Sequence, residues 1–374
     1  MSVWDPLVGQ TAAVAALTRA VEQSAYAMTH AWLFTGPPGS GRSVAARAFA
    51  AGLQCEAGGC GTCRACRTAL AGTHPDVTRV RTEKLSIGVD EVRDLVRRSA
   101  MTPTLGRWQV IIVEDADRVT ERGTGALLKA IEEPADKTIW MLCAPGSDDV
   151  PVTIRSRCRH VGLVTPSRAA VTDLLVAEGV PATTAAFAAR VAQGHIGRAR
   201  ALATDPAVAH RRTEILAIPG RLTSLGGCLE AAGWAVGTAE AEAAAATAEA
   251  DQAEREQLST VLGVDGPKTV RGAAGQLKDL EEQQGLRVKR YVRDRLDAVL
   301  LELTGFYRDV LVAQTAPGTP LINADCAGQI GAVAAESSPD TTVRRLDAIA
   351  ECRRAMASNV PPQLAFEAMM VSLA

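Results

Sequence analysis

The sequence predicts an α/β protein: a parallel sheet with crossover helices, followed by two all-helical regions. Across the first ~165 residues, short apolar runs alternate with helical patterns, which is typical of a parallel sheet. After Thr165 and Pro166 the strand pattern ends and only helical periodicity continues. Aromatic residues make up only 3% of the chain, which favours helical packing over sandwiches or barrels.

Apolar runs bounded by turn residues predict the strands. The candidates are residues 31–35, 77–81, 109–114 and 138–144. The chain then divides into three predicted domains: residues 1–166 (nucleotide-binding type), 167–205 (a small helical lid) and 206–374 (an all-helical domain). An Ala/Glu-rich run at 239–257 lacks both basic and bulky apolar residues, so we expect a solvated helix rather than a membrane-surface or docking helix.

Composition excludes some classes of function. The formal net charge of -2 argues against a surface that grips nucleic acid along its whole extent, so protein partners are expected. The sequence shows neither a leader pattern nor a run of about eighteen apolar residues, which predicts a cytoplasmic protein without membrane contact. Nine cysteines in such a chain predict metal ligation and buried thiols rather than disulfides.

A glycine-rich turn follows the first predicted strand and opens a helix. Its pattern begins at Gly36, includes Gly39, and closes with Gly41, Arg42 and Ser43. Glycines let backbone N–H groups converge on phosphate oxygens, and the helix N-terminus adds positive potential, so ATP or ADP with Mg²⁺ is the expected ligand. The alternative is a Gly/Pro turn that only starts a helix.

Arg42 stands where a phosphate loop carries lysine, and a planar guanidinium does not replace a compact ammonium freely. We therefore expect nucleotide binding without efficient hydrolysis. The later strand at 109–114 ends in Glu114 and Asp115, which in such a fold would serve the metal and the attacking water. The alternative is a buried strand capped by solvated acids.

Four cysteines within a short segment give the least ambiguous signal. Cys55, Cys60, Cys63 and Cys66 have the spacing C-x4-C-x2-C-x2-C. Four thiolates close a tetrahedron around Zn²⁺, which predicts a structural site. An iron–sulfur cluster would need a redox role that nothing else supports, and four unligated thiols so close together would oxidise readily.

The sequence Ser156-Arg157-Cys158 follows these motifs, and together they resemble the clamp-loader branch of the AAA+ ATPases. Stretches throughout the chain carry the resemblance: residues 8–10, 30–39, 87–93, 126–134 and 359–367. It implies an AAA+ domain, a lid and a C-terminal collar for oligomerisation. It also implies that Arg157 is an arginine finger, reaching the γ-phosphate held by a neighbouring subunit. Alone, the triplet would also fit an ordinary basic helix face.

Within this family, the resemblance favours a stator over an ATP-hydrolysing motor subunit. Motor subunits carry lysine in the phosphate loop, the order Asp-Glu, and a polar sensor after the fourth strand. This chain has Arg42 in place of the lysine, Glu114-Asp115 in the reverse order, and the segment 142–146, Leu-Cys-Ala-Pro-Gly, in place of the polar sensor. Arg198 is also shifted by one position from the second sensor of a motor subunit. Its own ATPase is therefore expected to be weak or absent, and polymerase activity would belong to the assembled holoenzyme.

The implied partners are the motor subunits and the delta subunit of a hetero-pentamer, the sliding clamp and primed DNA. Arg93, Arg97 and Arg98 lie at helical spacing and could track a DNA backbone, although a solvated charged face fits them better. Two rival classes stay open: an ATP-hydrolysing motor subunit, and a zinc-knuckle DNA repair or recombination protein.

Overall fold

The computed structural model of the chain describes residues 2–22, 27–82, 86–262, 273–358 and 360–374. Residue 359, at the start of the stretch 359–367, lies outside the described residues. The chain separates into two compact units, the first ending at Thr204 and the second beginning at Asp205. The predicted border at 166 between the nucleotide-binding and lid domains lies inside the first unit.

The first unit is built on a five-stranded sheet with the order β2-β3-β4-β1-β5 and parallel pairing. Its strands are β1 (Ala31–Thr35), β2 (Val77–Val80), β3 (Gln109–Val113), β4 (Thr138–Ala144) and β5 (Arg159–Gly162). Its described helices are α1 (Thr11–Val21), α2 (Arg42–Gln54), α3 (Arg64–Ala71), α4 (Val89–Ser99), α5 (Glu121–Glu132), α6 (Val152–Arg155), α7 (Arg168–Ala177), α8 (Ala182–Ala192) and α9 (Ile196–Thr204).

The three central strands are apolar on both sides because helices cover both faces of the sheet. Every residue of β1, β3 and β4 is buried. Successive side chains of a strand point to opposite faces, so Trp32 and Phe34 pack on the face that holds α2. Leu33 and Trp140 pack with α4 and α5 on the other. This confirms the predicted parallel α/β fold.

The predicted strands β1 and β4 have the observed bounds, whereas β2 and β3 each end one residue earlier than predicted. Strand β5, which pairs with β1 at the sheet edge, was not among the predicted strands. Only Val161 of this strand is buried, so its apolar pattern is too weak to show in the sequence. Helix α7 then begins after Ser167, whose Oγ accepts a hydrogen bond from Ala170 N at 3.2 Å.

Within its described residues, 205–262, 273–358 and 360–374, the second unit is all-helical, as predicted. Its helices are α10 (Pro206–Leu216), α11 (Leu225–Leu262), α12 (Ala273–Thr315), α13 (Ala327–Glu336), α14 (Pro339–Ala357) and α15 (Pro362–Leu373). Phe306, Tyr307 and Phe366 are the largest fully buried side chains of its core. Of the helices that the structure describes in either unit, none is long and apolar enough to cross a bilayer.

The expectation of a solvated helix for the Ala/Glu-rich run is wrong for one face of α11. Ala239, Ala243 and Thr247 recur every four residues and are each at most 3% exposed, because this stripe is turned inward in the helical packing. Beyond it, α11 and α12 are joined by a polar seam. We define the polar seam as Asp251, Glu254, Arg255, Gln284 and Arg287.

Buried Gln284 is the centre of the polar seam. Its Nε2 donates to Asp251 O at 2.9 Å, and its Oε1 accepts from Arg255 Nε at 2.7 Å. Arg287 adds ion pairs of 2.8 Å to both Asp251 and Glu254. The two helices are thus held together here by hydrogen bonds and charge, where the Ala-rich sequence supplies no large apolar side chains.

Candidate phosphate loop and cysteine cluster

The predicted phosphate loop lies between the end of β1 and the start of α2. Gly36 N donates to Pro145 O at 3.1 Å, which fixes the loop beside the end of β4. Gly39 and Gly41 have φ values of +83° and +93°, a region that favours glycine. The backbone of the loop therefore continues directly into the first turn of α2. A loop that leads into a helix N-terminus in this way is an arrangement that binds phosphate.

Two polar side-chain atoms in this loop are buried without a hydrogen-bond partner in the described structure. They are the Oγ of Ser40 and the NH1 of Arg42. A buried donor without a partner costs free energy, so these atoms fit a site completed by an anion. Ser43, the second residue of α2, also lines the cavity beside the loop.

That cavity has a volume of about 710 Å³, within the usual range for small-molecule sites. Its walls come from residues 5–8, from the loop and first turn at 39–44, and from the lid helices α7 and α9. The wall therefore combines apolar side chains with the N-terminus of α2, which suits a ligand that has an apolar ring and a phosphate group.

His195 closes the cavity over the crest of the loop. A Cβ atom added at Gly39 would lie 2.3 Å from His195 Cγ and 2.7 Å from its Cα, so only glycine fits there. Burial and the charge of Arg198 lower the pKa of His195. The ring is thus neutral near pH 7, and its Nδ1 accepts a hydrogen bond from Arg198 N at 3.1 Å.

An ion pair between the lid helices also lines the cavity. Arg200 donates to Glu178 through Nε at 2.8 Å and NH2 at 2.5 Å. These hydrogen bonds lower the pKa of Glu178 and raise that of Arg200. The sequence did not identify Glu178, Arg200 or His195 as parts of this site, because only the folded lid brings them to the loop.

The two predicted acidic residues follow β3, but their environments differ. The Glu114 side chain is 9% exposed, and its Oε1 lies 2.9 Å from Nε of Arg79 on β2. Asp115 immediately precedes a short 3₁₀ turn. Glu114 is therefore already paired within the sheet, which the sequence did not reveal.

The segment 142–146, which stands where a motor subunit has a polar sensor, begins at the end of β4. Its residues Leu142, Cys143 and Ala144 are fully buried. Burial raises the pKa of the Cys143 thiol, with further contributions from the charges of Glu114 and Asp115. The thiol is neutral and offers no polar group comparable to an amide or a hydroxyl.

The four predicted ligand cysteines converge. Their Sγ atoms all lie within 4.8 Å of one another. Cys55 Sγ is 3.7 Å from Cys60 Sγ and 3.8 Å from Cys63 Sγ. Four zinc–sulfur bonds of about 2.3 Å place neighbouring sulfurs about 3.8 Å apart, so this cluster fits a tetrahedral zinc site.

Backbone N–H groups support the thiolate state of Cys60. The N–H groups of Cys63 and Thr62 lower the pKa of Cys60 to about 6. Cys63 caps α3, where its Sγ accepts from Cys66 N at 3.4 Å. The N-terminal segment contacts the same loop, because Val3 N donates to Gly59 O at 3.1 Å. The cluster thus joins the end of α2, the start of α3 and the chain's first residues.

Arg157, the predicted arginine finger, lies just after α6 and is partly exposed. Its NH2 is 2.5 Å from Glu132 Oε1, and its NH1 donates to Thr153 O at 2.7 Å. Its neighbour Arg155 pairs with Asp148. The guanidinium of Arg157 is therefore presented at the surface but held by the chain's own groups.

Ion pairs within the helix engage two arginines of α4. Arg93 pairs with Asp90 at 3.1 Å, and Arg97 pairs with Asp94. All four side chains are more than half exposed. This favours the solvated charged face over a track for the DNA backbone.

Comparisons with known proteins match the region that holds these sites. Residues 9–167 match the family model described as DNA polymerase III, delta subunit. The chain is 38% identical over 152 residues to DNA polymerase III subunit delta' of Pseudomonas aeruginosa, covering 39% of this chain and 46% of that protein. It is 36% identical over 159 residues to subunit gamma/tau of Mycobacterium tuberculosis, covering 41% and 27%.

The chain thus spans less than half the length of these curated relatives. Among solved structures it is similar to a DNA polymerase III gamma subunit-related protein of Thermotoga maritima. That match has a TM-score of 0.42 and 16% identity, and covers 96% of this chain and 97% of the other. The sequence matches confirm the resemblance noted above over residues 9–167, where the phosphate loop, the cysteine cluster and Arg157 all lie.

Proposed function

We propose that this chain, a DNA polymerase III clamp-loader subunit by its residues 9–167, is the delta-prime subunit, the stator of the loader. In this role it assembles with motor subunits and the delta subunit in a hetero-pentamer that places the sliding clamp on primed DNA. It offers Arg157 to a neighbouring ATPase site and hydrolyses little or no ATP itself.

The observation that carries the proposal is the ion pair between Arg79 and Glu114. In a competent phosphate-loop ATPase the carboxylates after this strand hold the metal and orient water. Here the first carboxylate lies against a guanidinium at 2.9 Å, which competes with a metal ion for its charge. Together with Arg42 in the lysine position and the apolar end of β4, this argues for a site that binds without hydrolysing.

The nucleotide would be held by the residues that the sequence singled out. Gly36, Gly39 and Gly41 would let the N–H groups of the loop face a phosphate, Arg42 would supply positive charge, and Ser43 would offer its hydroxyl to Mg²⁺. A bound nucleotide would supply the anion that the buried Ser40 Oγ and Arg42 NH1 lack. We assign it a static, structural role.

We assign Arg157 the role of an arginine finger acting on the neighbouring subunit. Its guanidinium has five N–H donors, of which those on NH1 and NH2 contact Thr153, Ser156 and Glu132, and its side chain is 41% exposed. Such a residue stabilises the negative charge of a phosphoryl-transfer transition state. This increases the hydrolysis rate at one site by a factor of roughly 10³ to 10⁵.

The reconstituted loader tests this role. Changing Arg157 to alanine is expected to lower the DNA- and clamp-stimulated ATPase rate severalfold with assembly unchanged, since one of several sites loses its finger. Arg155→Ala is the matched control, because Arg155 lies two residues away and pairs with exposed Asp148. An unchanged rate for Arg157→Ala in an intact assembly would contradict the proposal.

The cysteine cluster is assigned a structural Zn²⁺. The sulfur separations fit a tetrahedron, and four cysteines leave no open position for catalysis. Zinc would fasten α3 and the Gly-rich loop at 58–61 to the end of α2. We assign it no contact with DNA or a partner.

A motor subunit is the second candidate, because the gamma/tau relatives match the same region at 36% identity. The purified chain distinguishes the two. If the stator proposal is correct, its ATP turnover equals that of an Arg42→Ala variant, because both rates are background. A turnover by the unmodified chain that Arg42→Ala abolishes would identify a motor.

A further inference from the structure

Gln10 lies buried just before α1, and its side chain makes three hydrogen bonds to backbone atoms. It is 3% exposed. Its Nε2 donates to Val164 O at 2.7 Å and to Ser40 O at 3.2 Å, while its Oε1 accepts from Val164 N at 3.0 Å. One side chain therefore joins the phosphate loop to residues 163–166, which connect β5 with α7 and which we call the lid linker.

The lid linker also packs closely against the start of the phosphate loop. Leu163 N donates to Thr35 O at 2.7 Å, at the end of β1. A Cβ atom added at Gly36 would lie 2.6 Å from Leu163 O. The first residues of the linker thus touch the backbone of the loop itself.

The other end of the linker contacts the segment that leads into α9. A Cβ atom added at Gly194 would lie 2.2 Å from Thr165 Cγ2 and 2.9 Å from Pro166 O. The next residue, His195, covers Gly39 at the crest of the loop. Loop, linker and the start of α9 therefore form a closed ring of contacts, in which Gln10 provides the side-chain hydrogen bonds.

We infer that Gln10 is a positioning residue that locks the phosphate loop to the lid linker, so that an anion bound at the loop is sensed at His195 and α9. Glutamine suits this place because it donates and accepts at once, matching two carbonyls and one N–H group. The part of the inference that concerns ligand binding rests on the proposed nucleotide site; the mechanical link does not.

The test is amide hydrogen exchange of the full chain, with and without Mg²⁺-ADP, comparing the unmodified protein with Gln10→Glu. Glutamate keeps the acceptor for Val164 N but places an oxygen against the two carbonyls. Without ADP, exchange at 163–165 and 196–200 is expected to rise on the order of tenfold. ADP should protect 36–43 in both proteins, but 196–200 only in the unmodified one.

Gln54 provides a matched control in the same unit. It is 5% exposed, donates to Trp108 O at 2.6 Å and accepts from Arg107 N at 2.9 Å, away from the linker. Gln54→Glu is expected to speed exchange at 107–108 and to leave 196–200 unchanged. If Gln10→Glu does not fold, Gln10→Met, which removes all three hydrogen bonds without adding a charge, takes its place.

Two results would overturn the inference: unchanged exchange at 163–165 and 196–200 in the Gln10 variant, or an equal rise at 196–200 in the Gln54 control. The second would show that the effect is general destabilisation. If ADP fails to protect 36–43 in the unmodified chain, the proposed nucleotide site is wrong, and the comparison without ADP still decides the role of Gln10.

Discussion

Replacing Cys66 by serine is expected to release the zinc and to lower the stability of the first unit. Cys66 is fully buried near the start of α3, and its Sγ lies 3.9 Å from Ala51 O on α2. Without a fourth thiolate the metal loses a ligand that serine does not replace. Because metal binding and folding are coupled, the expected loss is on the order of several kcal/mol.

The measurement is the zinc content of the purified chain together with its thermal unfolding. The unmodified chain should hold one zinc per molecule, and a chelator should shift its melting to that of Cys66→Ser. Cys143→Ser is the control, because Cys143 is equally buried but lies on β4 away from the cluster. One retained zinc per chain in Cys66→Ser, with unchanged melting, would refute the assignment.

Replacing Asp309 by alanine is expected to have a comparable effect on the second unit. Asp309 on α12 is fully buried. Its carboxylate accepts hydrogen bonds from Ile322 N at 3.2 Å and from Asn323 N at 2.6 Å, and it pairs with Arg308 at 2.6 Å. Asn323 in turn accepts from buried Arg212 on α10 at 2.7 Å.

Alanine would leave the backbone N–H and the side-chain amide of buried Asn323 without this acceptor, a loss of roughly 3–5 kcal/mol. Urea unfolding, read by amide exchange in α12 and in residues 321–326, measures this loss. Asp347→Ala is the control, because Asp347 is an exposed aspartate on α14. A loss below about 1 kcal/mol for Asp309→Ala would show that the network relaxes without cost.

Much of the first unit is predictable because its signals are local in sequence. β1 and β4 are apolar runs bounded by turns, and burial on both faces makes every residue of these strands apolar or small. The phosphate loop and the cysteine spacing lie within short segments, so the convergence of the four thiols follows from the sequence.

What the sequence does not reveal depends on register and on contacts between distant segments. The Arg79–Glu114 pair exists because β2 and β3 lie side by side in one register. His195 meets Gly39 only because the lid helices fold back over the loop. The inward-facing stripe of α11 was not predicted because alanine occurs on buried and on solvated helix faces alike, so its spacing does not distinguish the two.

Because of the polar seam, the two ends of the α11–α12 hairpin are expected to unfold with different cooperativity. Near its base, the hairpin shares the apolar core of Leu296, Leu300 and Leu303, so it opens only with the whole unit. At the seam, interhelical contact depends on the hydrogen bonds and ion pairs of Gln284 and Arg287, and each such hydrogen bond adds only about 1 kcal/mol net because water replaces it on opening. We therefore expect the outer part to open at a lower free energy than the helical core.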